Sequence, residues 1–126
     1  MNPHMVDRVI GPDLSVQQVF DDTEFGRALD EDLAAEMRSM MVANVSSGAA
    51  SGARIDGVDV GGKTGTAENG AAQPYTLWFT GFAPADDPQV AVAVVVEDGG
   101  GQNQSGSGNT IAAPIAKKVL EAVLGR

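Results

Sequence analysis

The residues best suited to chemistry lie together in one short stretch, Gly61-Gly62-Lys63-Thr64-Gly65-Thr66. Glycine lets a ligand approach the backbone closely, because no Cβ stands in the way. Lysine supplies a positive charge, and each threonine supplies a hydroxyl and a backbone N–H. The stretch is therefore equipped to hold an anionic group, either as a phosphate-binding loop or as a Lys-Thr-Gly strand.

The phosphate-loop pattern G-x-x-x-x-G-K-[ST] is satisfied by Gly57, Gly62, Lys63 and Thr64. A functional phosphate loop leaves a buried strand and opens a helix, whose first N–H groups face the phosphates. Residues 52–56 do not form an apolar strand, and Gly65 and Pro74 disfavour a helix downstream. Asp59 would also repel phosphate inside the loop. A nucleotide-binding protein remains an alternative that the context disfavours.

The strand interpretation fits both flanks of the motif. Val58 and Val60 alternate with small or polar residues, so the motif continues a strand. Residues 75–84 form a second strand with large side chains on both faces, which predicts that both faces are covered. Residues 90–96 form a third, with valines on one face and Ala91, Ala93 and Val95 on the other. Short connections between the three strands predict an antiparallel sheet.

Two helices flank this sheet in the sequence. Asp30 is a good N-cap for the first helix, and Gly48 is suited to end it. Its predicted apolar face consists of Leu33, Met37, Met40, Met41 and Val45.

The second helix has Asn109 or Thr110 as its predicted N-cap and Pro114 in its first turn. We expect it to pack on the small face of the third strand. Its predicted apolar stripe consists of Ile111, Ile115, Val119 and Val123.

Four ordered blocks make the resemblance to a family specific. They are the Gly-Lys-Thr-Gly-Thr-Ala-Glu of residues 62–68, the Trp-Phe-Thr-Gly-Phe-Ala-Pro of residues 78–84, the valine-rich strand and the Ala-Ala-Pro-Ile of residues 112–115. Together they resemble the C-terminal part of a class B penicillin-binding protein transpeptidase domain of the actinobacterial type. The resemblance implies an α+β fold, an antiparallel sheet with flanking helices that forms the C-terminal part of the penicillin-binding/β-lactamase-like transpeptidase fold. Residues 30–126 would carry it, and residues 1–29 would be a connecting region.

The resemblance also implies roles for the motif in acyl transfer, with Lys63, Thr64, Gly65 and Thr66 as its catalytic segment. Lys63 would supply positive charge to the serine network and to the substrate carboxylate. The hydroxyls of Thr64 and Thr66 would bind that carboxylate, and the backbone N–H of Thr66 would donate to the oxyanion. None of the serines in the sequence has a lysine three residues later, so the S-x-x-K nucleophile is absent. Ser107-Gly108-Asn109 fits S-x-N but stands after the Lys-Thr-Gly motif, which is the wrong order.

The implied protein is a D,D-transpeptidase segment for peptidoglycan cross-linking in the cell wall, inactive by itself. Its implied partners are the D-Ala-D-Ala stem peptide, β-lactams and the upstream half of the domain. A non-catalytic peptidoglycan- or β-lactam-binding module is the other alternative.

Length and composition limit the size of the fold and the kinds of partner, metal and cofactor that the chain can bind. The 126 residues suffice for one modest domain, and the net charge of −9 argues against nucleic acid as a partner. With no cysteine and one histidine, His4, neither a metal nor a cofactor is predicted, and His4 has no predicted role. No run of residues is apolar enough to span a membrane. We expect an extracytoplasmic location in the cell envelope, with membrane attachment only through an upstream anchor.

Overall fold

The computed structural model describes residues 2–126, which divide into two compact units. One unit ends at Glu31, and the other comprises Asp32–Arg126. Within the described residues, no helix is both long enough and apolar enough to cross a membrane. The two units are described separately below.

The first unit contains a short antiparallel hairpin. Strand β1 (Arg8–Ile10) pairs with β2 (Val16–Val19), and the register shifts at the end of β1. Two backbone hydrogen bonds close the turn, from Gly11 N to Ser15 O at 2.8 Å and from Leu14 N to Gly11 O at 2.9 Å. Residues 1–29, which the sequence predicts as a connecting region, thus contain two short strands.

The second unit is built on a three-stranded antiparallel sheet, as predicted. It consists of β3 (Gly61–Ala67), β4 (Thr76–Ala83) and β5 (Val90–Val96), in the order β3-β4-β5. The register aligns Lys63 with Thr80, and Gly65 with Trp78. The strand β3 therefore lies at an edge of the sheet, hydrogen-bonded on one side to β4.

The helix α1 (Glu31–Ser46) begins directly after Asp30, as predicted, and ends two residues before Gly48. Asn44 terminates it, because its carbonyl accepts bonds from the N–H groups of Gly48 and Ala50 and its side chain accepts one from Ala49. The predicted apolar face is wrong in its first half. Val45 is buried, Met41 is half-buried, and three members are exposed: Leu33, Met37 and Met40.

The second helical segment begins with one wide turn, Gly108–Ala112, and continues as α2 (Ala113–Val123). Its N-cap is Ser107, whose hydroxyl accepts from Thr110 N at 3.2 Å while Thr110 Oγ1 accepts from Ser107 N. The prediction of Asn109 or Thr110 as the N-cap is therefore wrong. This reciprocal pair satisfies two backbone donors that would otherwise lack partners at the helix start.

The face of α2 that packs on the sheet also differs from the prediction. Ile115, Val119 and Val123 are exposed, and the helix instead buries Ala113, Ala116 and Leu120. Small residues on the helix let it approach the larger valine face of β5, which packs against the core. The expectation that α2 covers the small face is wrong, since Ala91, Ala93 and Val95 are exposed. Trp78 shares that uncovered face and is 46% exposed, so only one face of β4 is covered.

Two short helical turns complete the unit. Ser51–Ala53 follows α1, and Asp98–Gly101 follows β5. The core that holds these elements together contains Val45, Ile55, Val60, Phe79, Ala83, Ala113, Ala116 and Leu120.

Candidate functional site

The Lys-Thr-Gly motif lies within β3, at the edge of the sheet. Close packing on the covered face requires a glycine at position 62, directly before the motif. A Cβ on Gly62 would lie 2.5 Å from Phe79 Cζ and 3.1 Å from Val45 Cγ2. The glycine therefore lets the aromatic core reach the backbone of the strand that carries Lys63, Thr64 and Thr66.

The backbone of Gly65 faces β4. Gly108 packs directly over the Gly65–Trp78 pair. A Cβ added to Gly108 would lie 2.4 Å from Trp78 O and 2.7 Å from Gly65 O. In an antiparallel strand, adjacent residues direct their backbone groups to opposite sides. The N–H and C=O of Thr64 and Thr66 therefore point to the open edge of β3.

The contacts made by carbonyl oxygens of β3 agree with this orientation. The Asn44 amide donates to Gly62 O at 2.9 Å, and the Lys63 ammonium donates to Thr64 O at 2.6 Å. Neither donor belongs to the backbone of β4. Asn44 and Lys63 thus satisfy two outward carbonyls of β3, and the backbone groups of Thr66 come next along the same edge, where an extended ligand can pair with them.

The side chain of Lys63 starts from the exposed face, opposite to Thr64 and Thr66, as strict alternation predicts. Its ammonium reaches the open edge, because it bonds to the carbonyl of the next residue. An ammonium has three donors, so two remain for other partners. Because the lysine side chain is long, its charge reaches the carbonyl of Thr64 at the edge of β3, although the side chains of Lys63 and Thr64 start from opposite faces.

The two threonine hydroxyls differ in their contacts. Thr66 Oγ1 accepts from Gly108 N at 3.4 Å, which leaves its own proton available to donate. Thr64 Oγ1 donates its proton to Ala49 O at 3.3 Å. That distance is long for an O–H···O bond, so a ligand that offers a better acceptor can replace it. The edge therefore presents one hydroxyl that is ready to donate and one that must first exchange partners.

Asn109 fixes the segment that supports Thr66. Its side-chain oxygen accepts from Gly52 N at 2.7 Å, and a Cβ on Gly52 would lie 2.2 Å from Asn109 O. The wide turn at the start of α2 is thereby held against the turn after α1. Sequence reasoning missed this contact and the roles of Ala49 and Gly108. The only sequence signal is that a Gly-Asn pair precedes an apolar helix.

The phosphate-loop interpretation is wrong. Lys63 and Thr64 lie inside β3, and the strand continues to Ala67, with no helix opening after the lysine. Gly57 belongs to a tight turn closed by the Ile55–Val58 bridge. The helix N-terminus that a phosphate needs is therefore missing at this motif. Glu68, the acid that directly follows β3, is exposed.

Comparison with known families identifies this arrangement. Residues 1–121 match the model of the penicillin binding protein transpeptidase domain. The chain belongs to this family. The match extends over both units and includes the Lys-Thr-Gly strand.

Relatives in the transpeptidase family have similar sequences and structures. The peptidoglycan D,D-transpeptidase PbpA of Mycolicibacterium smegmatis is 41% identical over 98% of this chain and 26% of its own length. The PbpA of Mycobacterium tuberculosis is 39% identical over the same shares. The chain thus spans about a quarter of the length of these relatives.

Solved structures of transpeptidases are similar to the structure of this chain. A ceftriaxone acyl-enzyme complex of penicillin-binding protein A from M. tuberculosis matches with a TM-score of 0.86 and 38% identity, over 97% of this chain and 28% of that one. The D,D-transpeptidase domain of a peptidoglycan glycosyltransferase from Eggerthella lenta matches with a TM-score of 0.79 and 33% identity, over 94% of this chain and 26% of that one. The α+β fold of the family is therefore confirmed for this chain.

Proposed function

We propose that this chain supplies the substrate-binding strand of a peptidoglycan D,D-transpeptidase. The observation that carries the proposal is that the Lys63 ammonium bonds to the carbonyl of Thr64, so the lysine charge lies on the strand segment that also bears the hydroxyl and the N–H of Thr66. The family match and the names of the relatives support it. Acyl-enzyme complexes of penicillin-binding protein A from M. tuberculosis with ceftriaxone and penicillin G support β-lactams as ligands.

Each group at this edge has a proposed role. The Lys63 ammonium attracts the terminal carboxylate of a D-Ala-D-Ala stem peptide, and the hydroxyls of Thr66 and Thr64 donate to it. Gly65 lets the ligand approach the strand without a side chain in the way. The N–H of Thr66 stabilises the oxyanion that forms during acyl transfer. Such a donor accelerates reaction because it is held in place before charge develops.

The nucleophile must come from outside this chain, because none of its serines belongs to an S-x-x-K motif. We propose that the upstream half of the transpeptidase domain provides it. The uncovered face of the sheet offers a suitable surface for that half, with Trp78 46% and Val95 50% exposed. Exposed aromatic and aliphatic groups on one sheet face are typical of an interface. The proposed location of the complete enzyme is extracytoplasmic, with attachment to the membrane only through an N-terminal anchor.

A chimera tests this function. Residues 1–126 replace the aligned quarter of M. smegmatis PbpA, and acylation by benzylpenicillin is followed by intact mass and by rate. We expect acylation of the chimera and none of the isolated chain. Lys63→Ala should slow acylation by about 10²–10³-fold, as for loss of one preorganised transition-state donor. Lys118→Ala, which removes an exposed lysine on α2, is the matched control and should leave the rate unchanged.

Three outcomes would argue against the proposal. Acylation of the isolated chain would mean that one of its own serines is a nucleophile. Equal rates for Lys63→Ala and Lys118→Ala would remove the motif from the chemistry. A folded chimera that binds stem peptide but is never acylated would favour the non-catalytic binding module.

A further inference from the structure

Asn44, in the last turn of α1, binds two separate parts of the chain through its side chain. Its amide nitrogen donates to Gly62 O at 2.9 Å, and its amide oxygen accepts from Ala49 N at 3.1 Å. A carboxamide has donors on its nitrogen and an acceptor on its oxygen, so each partner meets the atom that it needs. One half-buried side chain thus joins the end of α1 to the edge of β3.

The backbone of Asn44 also binds the turn formed by residues 48–50. The carbonyl of Asn44 accepts from Gly48 N and from Ala50 N, each at 3.1 Å. Together with the side-chain contact of Ala49, three consecutive N–H groups of this turn donate to one residue. A Cβ on Gly48 would lie 2.9 Å from Asn44 Cα, so the turn lies directly against the helix end. These contacts fix the direction of the Ala49 carbonyl.

The Ala49 carbonyl contacts the motif. It accepts from Thr64 Oγ1 at 3.3 Å. A threonine side chain has three staggered positions, and an acceptor in a fixed place selects the one that brings the hydroxyl toward it. The rotamer of Thr64 is therefore selected by a carbonyl that Asn44 holds in place.

Asn44 thereby acts on both sides of Lys63. It binds the peptide unit before this lysine directly, at Gly62 O, and it reaches Thr64 on the other side through Ala49. Because β3 is an edge strand, groups on its open side take their positions from contacts of this kind. Ending α1 requires no contact with β3, so the bond to Gly62, 18 residues away, positions the strand.

We propose that Asn44 is a positioning residue for carboxylate binding, acting through the Ala49 carbonyl on the Thr64 hydroxyl. This inference rests on the proposed transpeptidase function. Before a ligand binds, Ala49 O holds the hydroxyl at the edge of β3. When a carboxylate binds, only the hydroxyl proton turns toward it, while Thr64 Oγ1 stays in place. The carboxylate wins this exchange, because the 3.3 Å contact is long and a hydrogen bond to an ion is about twice as strong as a neutral one.

The role concerns binding and not the chemical step. The carboxylate is not the group that is attacked, so its contact with Thr64 is the same in the bound ligand and in the transition state. Losing such a contact weakens binding and leaves the limiting rate unchanged. Asn44 therefore contributes to the affinity for ligands that carry a carboxylate.

Hydrogen exchange on the chain tests the contacts of Asn44 without any need for activity. Asn44→Ala removes the side-chain bonds and keeps the backbone carbonyl of this position. We expect exchange of the Ala49 amide to become about tenfold faster, while the Gly48 and Ala50 amides stay protected by that carbonyl. Ser47→Ala removes another side-chain bond at the same helix end and is the matched control, which should leave all three rates unchanged.

Acylation of the chimera tests the consequence, with benzylpenicillin and its methyl ester as ligands that differ only in the carboxylate. We expect Asn44→Ala to raise the benzylpenicillin concentration at half-saturation about threefold to tenfold, the net contribution of one hydrogen bond. The limiting acylation rate, and the acylation rate with the methyl ester, should stay within about twofold. Asn44→Leu should behave like Asn44→Ala, because it keeps the side-chain volume and loses the hydrogen bonds. Ser47→Ala should change neither quantity.

A double-mutant cycle tests the connection to Thr64. Thr64→Val removes the hydroxyl that Asn44 positions. In this background, Asn44→Ala should cause no further change in half-saturation by benzylpenicillin, because the two residues act on the ligand as one unit. A structural effect of Asn44 would add to that of Thr64→Val.

The outcomes separate the two proposals. An unchanged exchange rate of the Ala49 amide in Asn44→Ala would overturn the contacts themselves. Tighter binding of benzylpenicillin, equal losses for the acid and the ester, or additive effects with Thr64→Val would overturn the positioning role. A chimera with no acylation at all would overturn the transpeptidase function and this role with it, while exchange would still decide whether Asn44 holds the turn.

Discussion

The two units of the chain are stabilised in different ways. The unit comprising Asp32–Arg126 buries a continuous apolar core, in which Phe79 is 1% and Leu120 is 0% exposed. In the unit that ends at Glu31, large apolar side chains such as Leu14 and Phe25 are 83% and 79% exposed. Polar contacts between exposed groups hold its hairpin and its ends together.

This difference follows from the number of layers. A sheet covered by a helix encloses side chains between two surfaces, whereas a two-stranded hairpin has nothing to enclose them. Hydrophobic burial therefore stabilises the unit that carries the Lys-Thr-Gly strand. The first unit depends on hydrogen bonds between exposed groups, each of which contributes little because water competes for the same partners.

The largest expected difference is between two phenylalanines. Phe79→Ala should lower the free energy of unfolding by about 3–5 kcal/mol, because it leaves a cavity in the core. Phe25→Ala should change it by less than about 0.5 kcal/mol, as for an exposed position. Urea unfolding followed by circular dichroism measures both. Comparable losses of unfolding free energy in the two variants would show that the first unit has a core of its own. The difference between the two units would then disappear.

A second pair of substitutions, with a smaller expected difference in stability, tests which face of α2 belongs to the core. Leu120→Ala should cost about 2–5 kcal/mol, since Leu120 is fully buried against the sheet. Val119→Ala, at the adjacent position and 42% exposed, should change the stability by about 0.5 kcal/mol or less. The same unfolding experiment applies. A greater loss of stability for Val119→Ala than for Leu120→Ala would show that the apolar stripe predicted from the sequence faces the core.

The smallest effect concerns His4 in the first unit. The carbonyl of Val6 and the carboxylate of Asp22 accept hydrogen bonds from its ring at 2.9 and 3.1 Å, and together they raise the pKa of His4 above its ordinary 6.5. Only the imidazolium can donate to both. Because the folded pKa is raised, this contribution to stability is fully present below pH 6.5 and is lost as the pH rises through the folded pKa.

NMR titration of the His4 ring measures this shift. Asp22→Asn should lower the pKa of His4, while Asp13→Asn, whose carboxylate is bound by Ser15, should not. An unshifted His4 in the unmodified chain would mean that these two contacts do not hold the ends of the hairpin together.

Patterns within single strands and loops predicted much of the fold. Alternation placed Lys63 opposite to Thr64 and Thr66, and the order of strands and helices matched. The helix faces were predicted less well. Ile115 and Val119 have the spacing of a buried stripe, but alanines at Ala113 and Ala116 fit more closely against the valines of β5. Periodicity identifies apolar residues, whereas close packing also depends on the shape of the opposite surface.

The sequence by itself determined the motif, the family and the strand in which the motif lies, because these depend on residue types and their local spacing. Only the tertiary structure decided how the motif is arranged. It placed the Lys63 ammonium at the open edge, Gly108 over Gly65, and the N–H of Gly99 on the carbonyl of Tyr75. These contacts join residues that are distant in sequence, and they depend on close approach between backbones. The residue pattern of a single segment does not predict which other glycine-containing segment will pack against it.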